Sequence, residues 1–508
     1  MEIITRLTSY IKQNKVEIFI VLGCIGIFIP FILFSKPVRV GDGSEYYALS
    51  LAWSTTHKPF MTDGSWGQYS RLVDSGEIDG LVKTATLKHS FPALRLGSTA
   101  DFVHFWFYSL GAAVISKIGD LIFGIFIPIH TTFLIWHCLL LATMLIIAWR
   151  CFGWKGLLAA ILLTSLSPII WYFDKVHTEF FTFCVTTSAV ILFLKRRYLP
   201  AAFFLALAAT QNISFAAISL LVLSFGIVLR RGEKYSLGEV IIIILTIAAS
   251  VIDPIYYYSR YGFISPIIST ESANVGNNLT SAYIWILDPD LGLLPNWPLG
   301  IVLLILSILI FRREEFSRPR VYAWLAFVIC YTGISLWAQS STTNLNSAAT
   351  PGLARYALWY LALFFPAILL LVDKMNSLKW PSILLIGLFV ISLIYNFHFN
   401  NPNIWEGGNT FPSPVSLFLQ TSLPKIYNPP PEVFEERYSY MGDAAGILNP
   451  IAVVGPDCHK VLFLDPVIPD KKQIILGGQR CRFDLDKLKD VLEAKNPSII
   501  SQRPKYLY

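Results

Sequence analysis

The chain has 508 residues, 54% of them hydrophobic and only 14% charged, with a mean hydropathy of +0.56. A soluble domain carries about 25% charged residues, so much of this surface never meets water and the chain is an integral membrane protein with the lipid bilayer as its solvent. The net charge of +7 comes with no basic patch interleaved with aromatics outside the hydrophobic runs, which argues against nucleic acid as a partner.

In chain order, Arg6, Lys12 and Lys15 precede an apolar run that lacks a small-residue cleavage site, so the first helix is expected to stay uncleaved. Runs near the ~20 residues needed to cross a bilayer fall at 18–35, 129–149, 156–173, 179–195, 199–211, 213–229, 237–252, 297–311, 321–337, 356–372 and 380–397. With the N-terminus in the cytoplasm, every basic cluster at a helix end then lies on one side: Arg150 and Lys155; Lys195, Arg196 and Arg197; Arg230, Arg231 and Lys234; Arg312, Arg313, Arg318 and Arg320; Lys374 and Lys379. The fold class is therefore all-α and polytopic, with about 11 transmembrane helices and a large first outer loop over 36–128.

Crossing at 101–126 would put Arg150 and Lys155 on the wrong side, so this stretch is expected to lie in the interface, with Asp101, His104, Lys117 and Asp120 toward headgroups. Chain character changes near 398. Domains are expected at 1–397 and 398–508, the second a small α+β domain outside the bilayer with strands in IAVVG, VLFLD and QIILGG and a helix near 484–495. Five cysteines lie in or beside apolar runs, while Cys458 and Cys481 in the tail could pair in an oxidising compartment.

Acids beside the bilayer need a reason. In VGDGSEYYALSLAW, Asp42 stands at a helix start with Glu45 three residues on; Asp42 is either an N-cap or a general base or metal ligand. YFDKVHTEFF packs Asp174, His177 and Glu179 into six residues of a tight outer turn, as a surface anchor or as a group for acid–base or ligand work. LDPDLGLLPNWPLG is a shaped turn in which Asp288 and Asp290 read as caps. Arg355 opens an apolar helix over 350–371, either snorkelling to headgroups or clamping a phosphate. There is no Walker loop, GxSxG, paired CxxC or HExxH, which leaves ATP-driven transport and the commonest hydrolases unsupported.

Taken in order, these motifs resemble the GT-C superfamily of membrane glycosyltransferases, which includes protein O-mannosyltransferases and lipid A aminoarabinose transferases. GDGSEYYALSLA looks like the family's acidic motif after the first span, with Gly43 where many members carry a second acid. HFWFYSL resembles its surface helix. AWRCFGWKGLLAAILLTSLSPIIWYFDKVHTEFF resembles its basic-Phe-Gly turn, an Ala-rich helix ending in Ser-Pro, and a second outer acid, for which Glu179 fits best and Asp174 is the alternative. DPDLGLLPNWPLG resembles a Gly-Leu-Leu and Pro signature, and ARYALWYLALFFPAI an Arg-Tyr helix with a proline. The tail matches nothing in the family.

The resemblance implies a sugar donor on polyprenyl phosphate and a glycan, lipid or protein acceptor, met on the outer face of the inner (plasma) membrane with the tail in the periplasm. It implies Asp42 and Glu179 as catalytic carboxylates, and Glu45, Asp174, His177, Arg355 and Tyr356 as substrate-binding residues. It fixes no cofactor, since some relatives use a divalent metal ion and others do not. Two rivals stay open: an O-antigen-type polymerase or ligase, which needs no acid after the first span, and a lipid or sugar transporter, which would place acids near the midplane.

Overall fold

The computed structural model describes residues 14–89, 94–269, 282–311, 318–341, 350, 352–375, 379–404, 413–423, 426–427 and four strands of the tail. Helix α1 (Lys15–Phe34) is apolar after its first turn, where Glu17 is held by Arg150 at 2.9 Å. Helices α2 (Gly43–Thr56), α3 (Asp63–Ser75) and α4 (Thr84–His89) follow, then a hairpin of β1 (Leu94–Leu96) and β2 (Thr99–Asp101). A capping box between Thr62 and Ser65 starts α3, and Gly76 ends it with φ +62°, a left-handed conformation that costs glycine little. Ala48, Leu49, Ala52, Met61, Trp66, Tyr69, Leu87 and Phe102 form one apolar core under these elements.

Helix α5 (Phe107–Ile118) leads through a single π-turn to α6 (Ile129–Leu166). The interfacial reading of 101–126 needs correction at its start. Asp101 ends a strand and is buried, and His104 precedes the helix half-buried; each meets partners from other parts of the chain. Asp120, and the apolar Leu121, Ile122, Phe123 and Phe126, remain exposed.

Helix α6 breaks at Gly153, where φ is +59° and ψ −147°. A Cβ on Gly156 would fall 2.4 Å from the Ala148 carbonyl oxygen. Eight residues of straight helix span about 12 Å, so the chain doubles back there, as the Phe-Gly turn anticipates. Pro168 ends the second limb, and Asn396 satisfies the carbonyls of Ser165 and Ser167 at 2.9 Å each.

Helix α7 (Thr178–Leu194) is buried on every side, the burial expected of a helix apolar all round. Helix α8 (Tyr198–Ala209) packs on α7, on α9 (Ser214–Leu229) and on α10 (Leu237–Tyr261). Beyond lie α11 (Pro298–Phe311), α12 (Arg318–Gln339), a 3-10 helix over Arg355–Phe364, α13 (Phe365–Met375), α14 (Lys379–Phe399) and α15 (Pro414–Ser422). The 3-10 stretch departs from the long α-helix expected over 350–371: Pro366 has no N–H to donate back to the preceding turn.

Among the described residues, five helices are long and apolar enough to cross a membrane: Lys15–Phe34, Ile129–Leu166, Leu237–Tyr261, Arg320–Gln339 and Arg355–Lys374. Shorter apolar helices lie at Thr178–Leu194, Tyr198–Ala209, Ser214–Leu229 and Leu385–Phe399. The protein is thus mostly helical and polytopic. In the tail, β3 (Ile451–Val454), β4 (Lys460–Phe463), β5 (Ile474–Leu476) and β6 (Lys505–Leu507) form a mixed sheet in the order β5-β3-β4-β6. The expected helix near 484–495, Cys458 and Cys481 lie outside the described residues.

The chain divides into two compact units. The first comprises 1–277, 299–343 and 358–403; the second comprises 278–298, 344–357 and 404–508. Segments 278–298 and 344–357 thus fall in the same unit as 404–508.

Candidate active site

In the first unit, the start of α2, the segment before α5 and the start of α7 bring five chemistry-bearing side chains together. Asp42 occupies the N-cap position of α2, yet its side chain makes no capping bond; the backbone N–H of Glu45 donates to the Asp42 carbonyl at 2.9 Å instead. The Asp42 carboxylate turns toward two imidazoles. Its Oδ2 lies 3.4 Å from His104 Nε2 and 3.7 Å from His177 Nε2. Gly43 permits this approach, since a Cβ there would stand 3.3 Å from the Val176 carbonyl oxygen. Gly43 thus lets α2 start close against the 173–177 turn.

Each imidazole is backed by a buried glutamate. His104 Nδ1 is 2.8 Å from Glu45 Oε2, and His177 Nδ1 pairs with Glu179 Oε2, which also accepts from Thr178 Oγ1 at 3.2 Å. A carboxylate bound to Nδ1 keeps the proton on that nitrogen and aims Nε2 the other way. Burial pushes the Glu45 carboxyl above its ordinary range, and the adjacent His104 pulls it back down. The Tyr46 ring presents itself to both imidazoles, 5.4 Å from His104 and 5.6 Å from His177. The result is two Glu–His pairs converging on one carboxylate oxygen.

Polar ties to neighbouring elements hold the cluster in place. Ser109 Oγ donates to the Tyr46 carbonyl at 3.0 Å, and the Tyr47 hydroxyl joins His130 Nδ1 at 2.7 Å, fastening α2 to α5 and α6. His137 Nδ1 lies 3.1 Å from the Phe173 carbonyl, so it carries the proton there and Nε2 accepts from the Tyr108 hydroxyl at 2.7 Å. That pair fastens the turn before α7.

Asp42, Glu45 and His104 each offer a ligand atom, all within 4.8 Å of one another, close enough for a cation. As a ligand set they fit poorly, because Glu45 and His104 Nδ1 stand at hydrogen-bond distance and one shared proton satisfies both.

Other expected site residues are placed differently. Asp174 pairs with Lys175 Nζ at 2.7 Å, and the same ammonium donates to the Pro402 carbonyl at 2.8 Å. Burial raises the Asp174 carboxyl while Lys175 lowers it. Asp174 is engaged with this lysine. In the second unit, Arg355 is buried, 5% exposed, and donates to the Tyr356 hydroxyl at 3.2 Å. A buried guanidinium does not snorkel along a surface. The Tyr356 ring lies 5.8 Å from Trp285. Asp288 closes a turn, accepting from the N–H groups of Asp290 and Leu291 at 2.9 Å each and from the Tyr427 hydroxyl at 2.9 Å; burial raises it to about 6. Asp290 accepts from the N–H of Ser413 at 2.7 Å. Asp288 thus caps its own turn, whereas Asp290 reaches a backbone N–H 123 residues away.

His104 is the residue that sequence reasoning missed. The one local signal was a histidine between a strand and an aromatic-rich helix start.

No family model matches this chain, and no curated protein matches it. One solved structure is similar: that of ArnT from Cupriavidus metallidurans bound to undecaprenyl phosphate, with a TM-score of 0.42 and 14% identity. The match covers 74% of this chain and spans 63% of the length of that one.

Proposed function

We propose that this protein is a membrane glycosyltransferase that moves a sugar from a polyprenyl-phosphate donor to a hydroxyl of an envelope glycan, lipid or protein, at the outer face of the inner membrane. About 11 spans, a cytoplasmic N-terminus and an outer C-terminal α+β domain complete the proposal. The observation that carries it is the Asp42 carboxylate, which declines the cap its position offers and faces two histidines at the start of the loop after the first span. A carboxylate in that role takes the proton of the acceptor hydroxyl as its oxygen bonds to the anomeric carbon. The bond from that carbon to the phosphate oxygen breaks, and the configuration inverts in a single displacement. Glu179 holds His177 against the base. Arg355, with the Tyr356 hydroxyl beside it, is the proposed clamp for the lipid phosphate, because a guanidinium matches phosphate geometry and stays charged when buried.

The test is a surface-glycan mass spectrum of source cells lacking the protein, complemented with wild type or with Asp42→Asn at equal expression. One sugar mass should vanish in the null, return with wild type and stay absent with Asp42→Asn. Full restoration by Asp42→Asn would remove the base from the proposal and favour a polymerase or a transporter.

A further inference from the structure

The two Glu–His pairs at Asp42 share one geometry and differ in access. The His104 side chain is 24% exposed, whereas that of His177 is 1% exposed. Both present Nε2 to the same Asp42 oxygen, and both are oriented through Nδ1 by a glutamate. Two imidazoles with the proton fixed on Nδ1 direct two nitrogen lone pairs at that oxygen. The contact becomes favourable when a proton sits between Asp42 and one imidazole.

Glycosyl transfer to a hydroxyl produces such a proton. The acceptor loses one, and a phosphate monoester, with its second pKa near ~6, leaves mostly as the dianion at neutral pH and does not take it up. Asp42 must pass its proton on before the next turnover.

We propose that His104 is the proton outlet of Asp42, and that His177 is a closed strut with no such role. The inference rests on the glycosyltransferase reading. The proton taken by Asp42 moves from Oδ2 to His104 Nε2, giving an imidazolium held by the Glu45 carboxylate through Nδ1–H. The imidazolium then yields its Nε2 proton to water, and neutral His104 and ionised Asp42 are restored. Asp42, Glu45 and the Tyr46 ring face His104. His104 acts through Asp42 and is a positioning and relay residue, not a catalytic one.

The experiment measures transfer rates in membranes holding their own donor and acceptor, for wild type, His104→Ala, His104→Gln, His177→Ala and Asp42→Asn, with and without added imidazole. Both His104 variants should lose turnover by about 10²-fold, with the KM for acceptor unchanged. Imidazole should restore His104→Ala about tenfold, entering the space the side chain vacates, and should leave His177→Ala as it was. Wild-type turnover in His104→Gln, or a rate in folded His104→Ala that imidazole leaves unchanged, overturns the relay. Recovery with a divalent cation in place of imidazole overturns it too and makes the cluster a metal site. If Asp42→Asn stays inactive while the relay fails, the transferase reading survives alone; if Asp42→Asn is fully active, both fall. Melting midpoints of the purified variants separate a relay defect from misfolding.

Discussion

Asp42 and Asp101 belong to the same stretch between the first two long helices, and the fold surrounds them in opposite ways. The Asp101 side chain is 3% exposed and saturated: Arg260 donates through Nε at 2.8 Å and Nη2 at 2.7 Å, Tyr261 at 2.5 Å, and Tyr256 from the same helix. Its charge is matched by a permanent cation that itself lies 4.0 Å over the Phe60 ring. Asp42 faces two imidazoles, whose charge depends on a proton, and keeps a side chain 21% exposed. A carboxylate locked by Arg and phenols serves as a fastener, tying the end of α10 to the β1–β2 hairpin. A carboxylate facing groups that can exchange protons is equipped for chemistry.

The comparison breaks most clearly at Asp42 itself. Asp42→Asn should cut transfer by about 10²–10⁴-fold, the usual range for a positioned base, with the melting midpoint of the purified protein unchanged. A large drop in that midpoint would make Asp42 structural after all. Asp101→Ala should do the reverse. Removing one partner of a buried pair costs about 3–5 kcal/mol, read as a lower midpoint and less folded protein, with turnover per folded molecule close to wild type. Tyr261→Phe removes one charge-assisted hydrogen bond and should cost about 1.5–3 kcal/mol by the same measurement.

The smallest effect sharpens the comparison through pH. Burial raises the Glu45 carboxyl above its ordinary 4.5 in the folded protein. A folded-state value above the unfolded one means that the native state holds the proton more tightly. That contribution is fully present below 4.5 and is lost as pH rises through the raised value. Glu45→Gln keeps the neutral shape and has no such loss, so its midpoint relative to wild type should climb with pH above 4.5 and level off once wild-type Glu45 is ionised. A difference flat across that range would show that His104 fully offsets the burial.

Much of the architecture was legible because hydropathy and local breakers act over a few residues. Helices lie on all the expected apolar runs, the Phe-Gly turn at Gly153 reverses the chain, and the IAVV, KVLF and IIL segments form strands. Half of the site was legible for the same reason. His177 and Glu179 are two residues apart, and Asp42 and Glu45 share one helix start. Six crowded residues do not reveal which acid the adjacent Lys175 will take, and here it takes Asp174.

Local pattern alone therefore set the solvent of this protein, the placement of its helices and the presence of two acidic motifs after its first span. Tertiary structure decided that the motifs meet, that His104 arrives from 59 residues beyond Glu45, and that Arg260 reaches Asp101 from 159 residues away. Periodicity records which face of an element is buried. It carries no record of which distant side chain a closing loop will bring to that face, and here that encounter separates a carboxylate equipped for chemistry from a fastener.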